Sequence, residues 1–109
     1  METLAPVFIG GRWRSAGDCT GSFHAFDPAS GQAIGPAFPR SGAADVEQAL
    51  AAASAAAPVL AATDPERIAA FLDAYAAALE ADADRLVQLA QAETGLPAVP
   101  RLRGNELPR

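Results

Sequence analysis

An alanine-rich region in the second half of the chain restricts most strongly what this sequence can fold into. The 109 residues include 28 alanines, whereas Leu, Ile, Val and Phe together number 23. Alanine is the best helix former, but its single methyl group buries little apolar area when two elements pack together. The sequence therefore predicts helices around a small hydrophobic core, in one small domain or in one piece of a larger one.

Apolar residues recur at helical spacing from Ser41 onward, so the sequence predicts three helices over residues 41–95. In the first helix Ser41 is the expected N-terminal cap, because its hydroxyl can accept a hydrogen bond from a free backbone amide. Pro58 is the expected end, since proline lacks the amide hydrogen that continues a helix. The face that this helix offers for packing is small and consists of Val46, Leu50, Ala53 and Ala57.

The second and third helices have clearer boundaries. The second begins in the stretch 63–66, where Asp64 can cap the first amides and Pro65 suits the first helical position. The third is expected to begin after a cap at Asp82 and to end at Gly95, since glycine readily adopts the left-handed conformation of a helix C-terminus. The predicted core faces comprise Ile68, Phe71, Leu72, Tyr75 and Leu79 on the second helix and Leu86, Leu89 and Ala90 on the third.

Residues 1–40 alternate between short apolar runs and turn residues, which is typical of β-hairpins. The stretch FIGGRW places the pair Gly10-Gly11 between two such runs. A phosphate-binding loop would need a helix after the glycines, and none follows, so a tight hairpin turn is preferred. A second hairpin is expected around the turn 27–31, with the residues after Ile34 at a sheet edge or in a connection.

Residues 96–109 are expected to form an irregular tail, because Pro100, Gly104 and Pro108 interrupt any helix or strand. The formal net charge is −5, and the acidic excess lies in the helical residues 41–95 rather than in this tail. A negatively charged surface disfavours nucleic acid as a partner, since phosphate binding needs clustered positive charge.

The sequence carries no mark of secretion or of membrane insertion. Cys19 is the single cysteine, so no internal disulfide can form. The apolar start of the chain is short and lacks a basic flank, unlike a signal peptide, and acidic residues interrupt the alanine-rich region at intervals too short for a membrane span. We therefore expect a cytoplasmic protein with no membrane partner.

Few side chains are candidates for chemistry. Cys19 and His24 could form a nucleophile and base, but His24 is expected on the polar side of a strand, and a metal site needs three or four ligands. Asp82 and Asp84 diverge around a helix start, which favours a cap or a solvated surface over paired-carboxylate catalysis. Trp13 could stack on a base, but a core anchor for the first hairpin is preferred. We predict no catalytic, cofactor-binding or metal-binding residue in this chain.

Four segments follow one another in a definite order. FIGGRW precedes FDPASGQAIG, an alanine-rich helix comes next, and DPERIAAFLDAYAAALEADADRLVQLAQAETGLP follows. This succession resembles the N-terminal part of the aldehyde dehydrogenase superfamily, in which a hairpin of F-I-x-G-x-W type leads to an N-P-x-T-G-type turn, two helices and an E-T-G-K-P ending. The resemblance covers residues 7–97, with Asp27, Ser30 and Leu96 where the family more often has Asn, Thr and Lys.

The resemblance implies an α/β fragment in which N-terminal β-hairpins are followed by three α-helices, the start of an aldehyde-dehydrogenase-like coenzyme-binding domain. A full-length relative is expected to oxidise a small aldehyde with NAD or NADP through a thiohemiacetal on a cysteine, and to form homo-oligomers. The family's catalytic and coenzyme-contacting residues come later in its chain, and Cys19 matches none of them. The tail PRLRGNELPR resembles the branch that acts on α-ketoglutaric semialdehyde.

Two hypotheses about the chain remain open. The first is that residues 1–109 are the incomplete N-terminal part of an NAD(P)-binding domain, interrupted at Arg109 and inactive by itself. The second is a stand-alone interaction module whose alanine-rich helices bind another protein. A bacterial source is expected in either case.

Overall fold

A computed structural model describes residues 2–109 and contains four strands and three α-helices in that part of the chain. The elements are β1 (Val7–Ile9), β2 (Arg12–Arg14), β3 (Cys19–Phe26), β4 (Ala33–Ser41), α1 (Ala43–Ala61), α2 (Pro65–Ala81) and α3 (Ala83–Thr94). Two hairpins followed by helices confirm the predicted α/β fold class. The chain divides into two compact units, the first formed by the N-terminal residues through Ala25 with Gly35–Thr63, and the second by Phe26–Ile34 with Asp64–Arg109.

The first hairpin is the predicted one. β1 and β2 pair antiparallel, with Ile9 opposite Arg12, so the connection is the two residues Gly10 and Gly11. Their φ angles are +61° and +78°, the left-handed values that a type I′ turn requires. The ring of Trp13 lies 5.0 Å from that of Phe8, but Trp13 is 70% exposed. The prediction that Trp13 is a core anchor was therefore wrong, because no second layer covers this face of a two-stranded sheet.

Replacing Gly11 with alanine is expected to destabilise this hairpin by about 1 kcal/mol, because a Cβ disfavours positive φ. A Cβ at this position would meet no other atom within 4 Å, so the cost is one of backbone conformation alone. The measurement is amide hydrogen exchange in β1 and β2. Gly11→Asn is the control, since asparagine tolerates the left-handed region, and equal exchange in the two variants would contradict the explanation.

The second hairpin has longer strands than the sequence suggested. The Asp27 amide donates to the carbonyl of Gln32 at 2.9 Å, and the Gly31 amide donates to the carbonyl of Asp27 at 2.8 Å, which closes the predicted turn. β4 continues past Pro36 and Pro39 as far as Ser41. β3 and β4 form a sheet of two strands, and the outer edge of β4 carries an isolated parallel bridge between Leu4 and Ala37 rather than a full strand, so a proline that faces this edge interrupts no ladder.

Helix α1 differs from the prediction at both ends. Its N-terminal cap is Gly42 rather than Ser41, which is the last residue of β4. Pro58 lies inside the helix and does not end it. The helix continues for one more turn because the Thr63 hydroxyl donates to the carbonyl of Val59 at 2.7 Å and thereby secures its C-terminus. Pro58 cannot donate to the carbonyl of Ser54, so the helix passes through this position with one backbone hydrogen bond missing.

Helices α2 and α3 begin and end where the sequence predicts. The Asp64 carboxylate accepts a hydrogen bond from the Glu66 amide at 3.0 Å, and Pro65 is the first helical residue. Asp82 occupies the cap position of α3, but its carboxylate binds Arg85 and not a backbone amide. Gly95 ends α3 with φ of +70°.

The C-terminal segment, Ala98–Glu106, is not the irregular tail that the sequence predicted. It forms wide, π-type turns, in which the amide of Leu102 donates to Pro97 and that of Leu107 donates to Leu102, although Val99 is extended. The prolines are tolerated because both Pro97 and Pro100 precede the first residue that must donate. Leu102 is buried as a result.

The hydrophobic core is thin, as the alanine content predicted. The buried apolar residues are Ala37 in the first unit and Ala83, Val87 and Leu102 in the second. By contrast, the predicted core face of α2 is uncovered, and Phe71 is 65% exposed. The helical period located this face correctly, but within residues 2–109 no element buries it.

Candidate functional site

A polar contact lies where the turn between β2 and β3 meets the start of α1, within the first unit. Asp45 is the one charged residue that is buried among those described, with 1% exposure. Its carboxylate accepts hydrogen bonds from the Gly17 amide at 3.0 and 3.1 Å and binds Nη2 of Arg14 at 3.2 Å. The charge is therefore compensated by a cation and a backbone dipole, as a buried carboxylate requires.

Asp18 makes the opposite connection, from the turn to the helix. Its Oδ2 accepts from the Ala44 amide at 3.0 Å and its Oδ1 accepts from the Asp45 amide at 3.2 Å. These backbone hydrogen bonds, chiefly that from Ala44, lower the pKa of Asp18 below the usual aspartate value. Asp18 thus caps α1 from a distant part of the sequence and has its oxygens occupied, so it is poorly placed to act as a general base.

The capping of α1 by Asp18 is expected to weaken in acid. Because the pKa of Asp18 is lower in the folded chain than in the unfolded chain, the stabilisation is complete above the unfolded value of about 3.9 and is lost as the pH falls through the folded value. Amide exchange at Ala44, corrected for the intrinsic pH dependence of exchange, reports this loss. Asp18→Asn is the control, and an unchanged pH profile in that variant would show that another group is responsible.

The structure does not bring the predicted candidates for chemistry together. The Cys19 thiol donates to the carbonyl of Gly21 at 2.9 Å, whereas His24 contacts the carbonyl of Gly35 through Nδ1 at 3.3 Å and a Glu2 oxygen through Nε2 at 3.2 Å. Neither side chain hydrogen-bonds to the other, so the geometry offers no activated nucleophile. Over residues 2–109, no three side chains of the His, Cys, Asp and Glu types cluster as metal ligands would.

The two aspartates at the start of α3 are separately engaged in ion pairs. Arg85 binds Asp82 and lowers the pKa of that carboxyl group, while Asp84 accepts a hydrogen bond from Nη1 of Arg103 at 2.8 Å. Each aspartate therefore has its own cation, which agrees with the predicted solvated surface, whereas the predicted cap by the Asp82 side chain is not formed. Paired carboxylates that share a proton would instead face each other.

The glycine pair of the first hairpin does not fit a dinucleotide. A pyrophosphate site needs the amides at a helix N-terminus after the glycines, and the residues after Gly11 form strand β2. The amides at the start of α1 are also unsuitable, because Asp18 already occupies them. Neither the glycine pair nor the start of α1 therefore fits the pyrophosphate of NAD or NADP.

One apolar cavity lies in the second unit, between α3 and the C-terminal segment. Its volume is about 230 Å³, and its lining consists of Leu86, Val87, Ala90, Leu102, Glu106 and Leu107. Pockets that enclose a small-molecule ligand are usually larger, at about 300–1,000 Å³. The carboxylate in the lining, that of Glu106, is paired with Arg101 and Arg109. This cavity has the properties of imperfect packing rather than of a substrate site.

The most prominent functional features are the exposed apolar helix faces. On α2 the exposed face contains Phe71, Leu72, Tyr75 and Leu79, and on α1 the exposed apolar residues are Val46, Leu50, Val59 and Leu60. Single exposed apolar residues are ordinary, but contiguous groups of them mark surfaces that another structure covers. No described helix is long and apolar enough to cross a membrane.

Comparison with known proteins identifies the family. The sequence profile of the aldehyde dehydrogenase family matches residues 13–103. The chain belongs to the aldehyde dehydrogenase family. It is 38% identical over 105 residues to alpha-ketoglutaric semialdehyde dehydrogenase 2 of Azospirillum brasilense, an alignment that covers 95% of this chain and 19% of that protein. This aldehyde dehydrogenase chain thus spans about one fifth of the length of the relative it matches.

The predicted resemblance to the N-terminal portion of the aldehyde dehydrogenases is confirmed, but sequence reasoning missed the roles of Asp18 and Asp45. The position of Asp45 in the first turn of an expected helix was a usable signal, since acidic residues are favoured there. The partner of each carboxylate lies at least 26 residues away in the chain. Local patterns do not reveal contacts at that separation.

Proposed function

We propose that this chain is part of an NAD(P)-dependent aldehyde dehydrogenase that oxidises an aldehyde to a carboxylic acid, and that the 109 residues alone are catalytically inactive. Family membership supports the first part of the proposal. The exposed apolar face of α2 supports the second, because a contiguous apolar helix face of this kind is normally covered by further structure.

The proposed substrate is a semialdehyde such as α-ketoglutaric semialdehyde. The support is the similarity to a relative named for that substrate, which extends over 95% of this chain. The nucleophile, the general base and the residues that hold NAD or NADP would come from the rest of the enzyme; in support, neither the glycine pair nor the start of α1 fits the coenzyme. The complete enzyme is proposed to be a cytoplasmic homo-oligomer that binds neither nucleic acid nor membrane.

The test begins with the protein as its host produces it. An antibody raised against residues 64–94 captures the native polypeptide, whose intact mass is then compared with the 11.1 kDa of this chain. We expect a much larger mass and NAD- or NADP-dependent oxidation of α-ketoglutaric semialdehyde by the captured protein, with propanal as the comparison substrate. Purified residues 1–109 should give no activity. Turnover by the purified chain would refute the proposed inactivity of residues 1–109. A captured protein of much larger mass that does not oxidise the aldehyde would refute the proposed activity of the complete enzyme.

The alternative function is a stand-alone helical interaction module that binds a protein partner. The same exposed faces on α1 and α2 favour it, since an amphipathic helix can be completed by another chain as well as by its own. A native mass equal to that of residues 1–109 would favour this alternative.

A further inference from the structure

The way in which α1 is held in the first unit is unusual for a helix of its length. Asp45 is the one residue buried among its 19, and ten of the 19 are alanine. The helix also approaches β1 and its turn, where Gly10 passes beside Ala52 and an added Cβ would lie 3.9 Å from the alanine methyl group. Burial of apolar area therefore contributes little to holding α1 in place.

The polar contact is reciprocal and fully paired. A carboxylate from the turn, Asp18, binds the amides of the helix, and a carboxylate from the helix, Asp45, binds the Gly17 amide of the turn and Arg14. The backbone adds a further connection, because the Gly42 amide donates to the carbonyl of Asp18 at 2.7 Å.

Two glycines leave the space that this contact needs. A Cβ on Gly42 would overlap Oδ2 of Asp18, and a Cβ on Gly17 would approach Oδ1 of Asp45 to 3.0 Å. Neither glycine has a positive φ, so the reason for glycine at these positions is the close approach and not the backbone conformation. The glycines and the carboxylates therefore act together.

We propose that the reciprocal contact of Asp18 and Asp45 is a latch that fixes α1 to the turn between β2 and β3, and that opening it releases α1 as an intact helix. The alanine content supports helicity after release, because alanine favours the helix without needing contacts to other elements. The contact of Asp18 and Asp45 thus sets the position of α1, whereas the alanine residues maintain its helical structure. The helix can therefore change its position without unfolding.

The test opens the latch from either side and measures docking and helicity separately. Asp45→Ala removes the helix carboxylate, and Gly42→Ala displaces Asp18 without removing a charge. Glu47→Ala is the matched control, since Glu47 is an exposed acidic residue on the same helix. Spin labels on the exposed Cys19 and on Ala56→Cys report the distance between β3 and α1, and circular dichroism reports helix content.

Both latch variants should broaden the distance distribution and raise amide exchange at Gly17 by about tenfold or more, since hydrogen bonds to a charged group are lost. The helix content of both latch variants should equal that of the unmodified chain. Glu47→Ala should change neither the distance distribution nor the helix content. A narrow distance distribution in both latch variants would overturn the proposal. So would a loss of helicity that accompanies the broadening in Gly42→Ala, because the contact would then be part of helix folding rather than a latch.

Discussion

Purified residues 1–109 are expected to show strong helical circular dichroism, a broad thermal transition and binding of the dye ANS at neutral pH. The helices are favoured by alanine, but within residues 2–109 the core that would make unfolding cooperative consists of four buried apolar residues. Exposed apolar faces bind ANS, and Phe71, Leu72 and Tyr75 on α2 provide such a face. The measurements are a melting curve and a dye titration.

The matched control for this prediction carries Phe71→Gln and Leu72→Gln on the exposed face of α2. These substitutions should reduce ANS binding and leave the helical signal unchanged, because neither side chain is buried. A sharp two-state melt of the unmodified chain without dye binding would contradict the prediction. It would favour the stand-alone module over an incomplete enzyme.

The second large effect is expected from Leu102→Ala, which should destabilise the second unit by about 2 to 3 kcal/mol. Leu102 is 6% exposed and lines the cavity between α3 and the C-terminal segment, so its removal enlarges a space that already exists. The C-terminal segment should detach from α3. Amide exchange at Leu107, which donates to the Leu102 carbonyl, measures the loss of protection.

Leu89→Ala is the control for the Leu102 substitution. Leu89 lies on α3, but it is 47% exposed and does not line the cavity. Its truncation should cost less than about 1 kcal/mol, because surface substitutions usually have small effects. Equal exchange at Leu107 in the two variants would show that the packing of Leu102 does not hold the C-terminal segment.

The sequence predicted those elements whose signals are local. Gly10 and Gly11 between two apolar runs specify a tight turn, and Asp64 followed by Pro65 specifies a helix start, because each depends only on neighbouring residues. The error at Ser41 arose where a distant group replaced a local one, whereas at Pro58 the helix continues although proline lacks an amide hydrogen. The cap of α1 comes from the turn after β2 rather than from the preceding residue.

The candidate site was predictable to a smaller extent. The sequence indicated that Cys19 and His24 lack the partners that catalysis needs, and the structure gives them separate hydrogen bonds. The apolar face of α2 was located correctly, but the sequence did not show what covers it, because an apolar stripe shows that a face will be buried and not which part of a polypeptide buries it. The buried state of Asp45 depends on the folded approach of Gly17, which no spacing in the sequence encodes.

The two prolines of β4 affect how copies of this chain can associate. A strand at an open edge offers amides and carbonyls to a strand of another molecule, which is the usual route to β-rich aggregates. The amides of successive residues point to opposite edges of a strand, so only one of Pro36 and Pro39 removes a donor from the outer edge of β4, where the Ala5 amide already donates to the carbonyl of Ala37 at 2.8 Å. This edge is therefore a poor template for a strand of another molecule, and association of copies is expected through the exposed apolar residues of the helices, which polar substitutions should weaken.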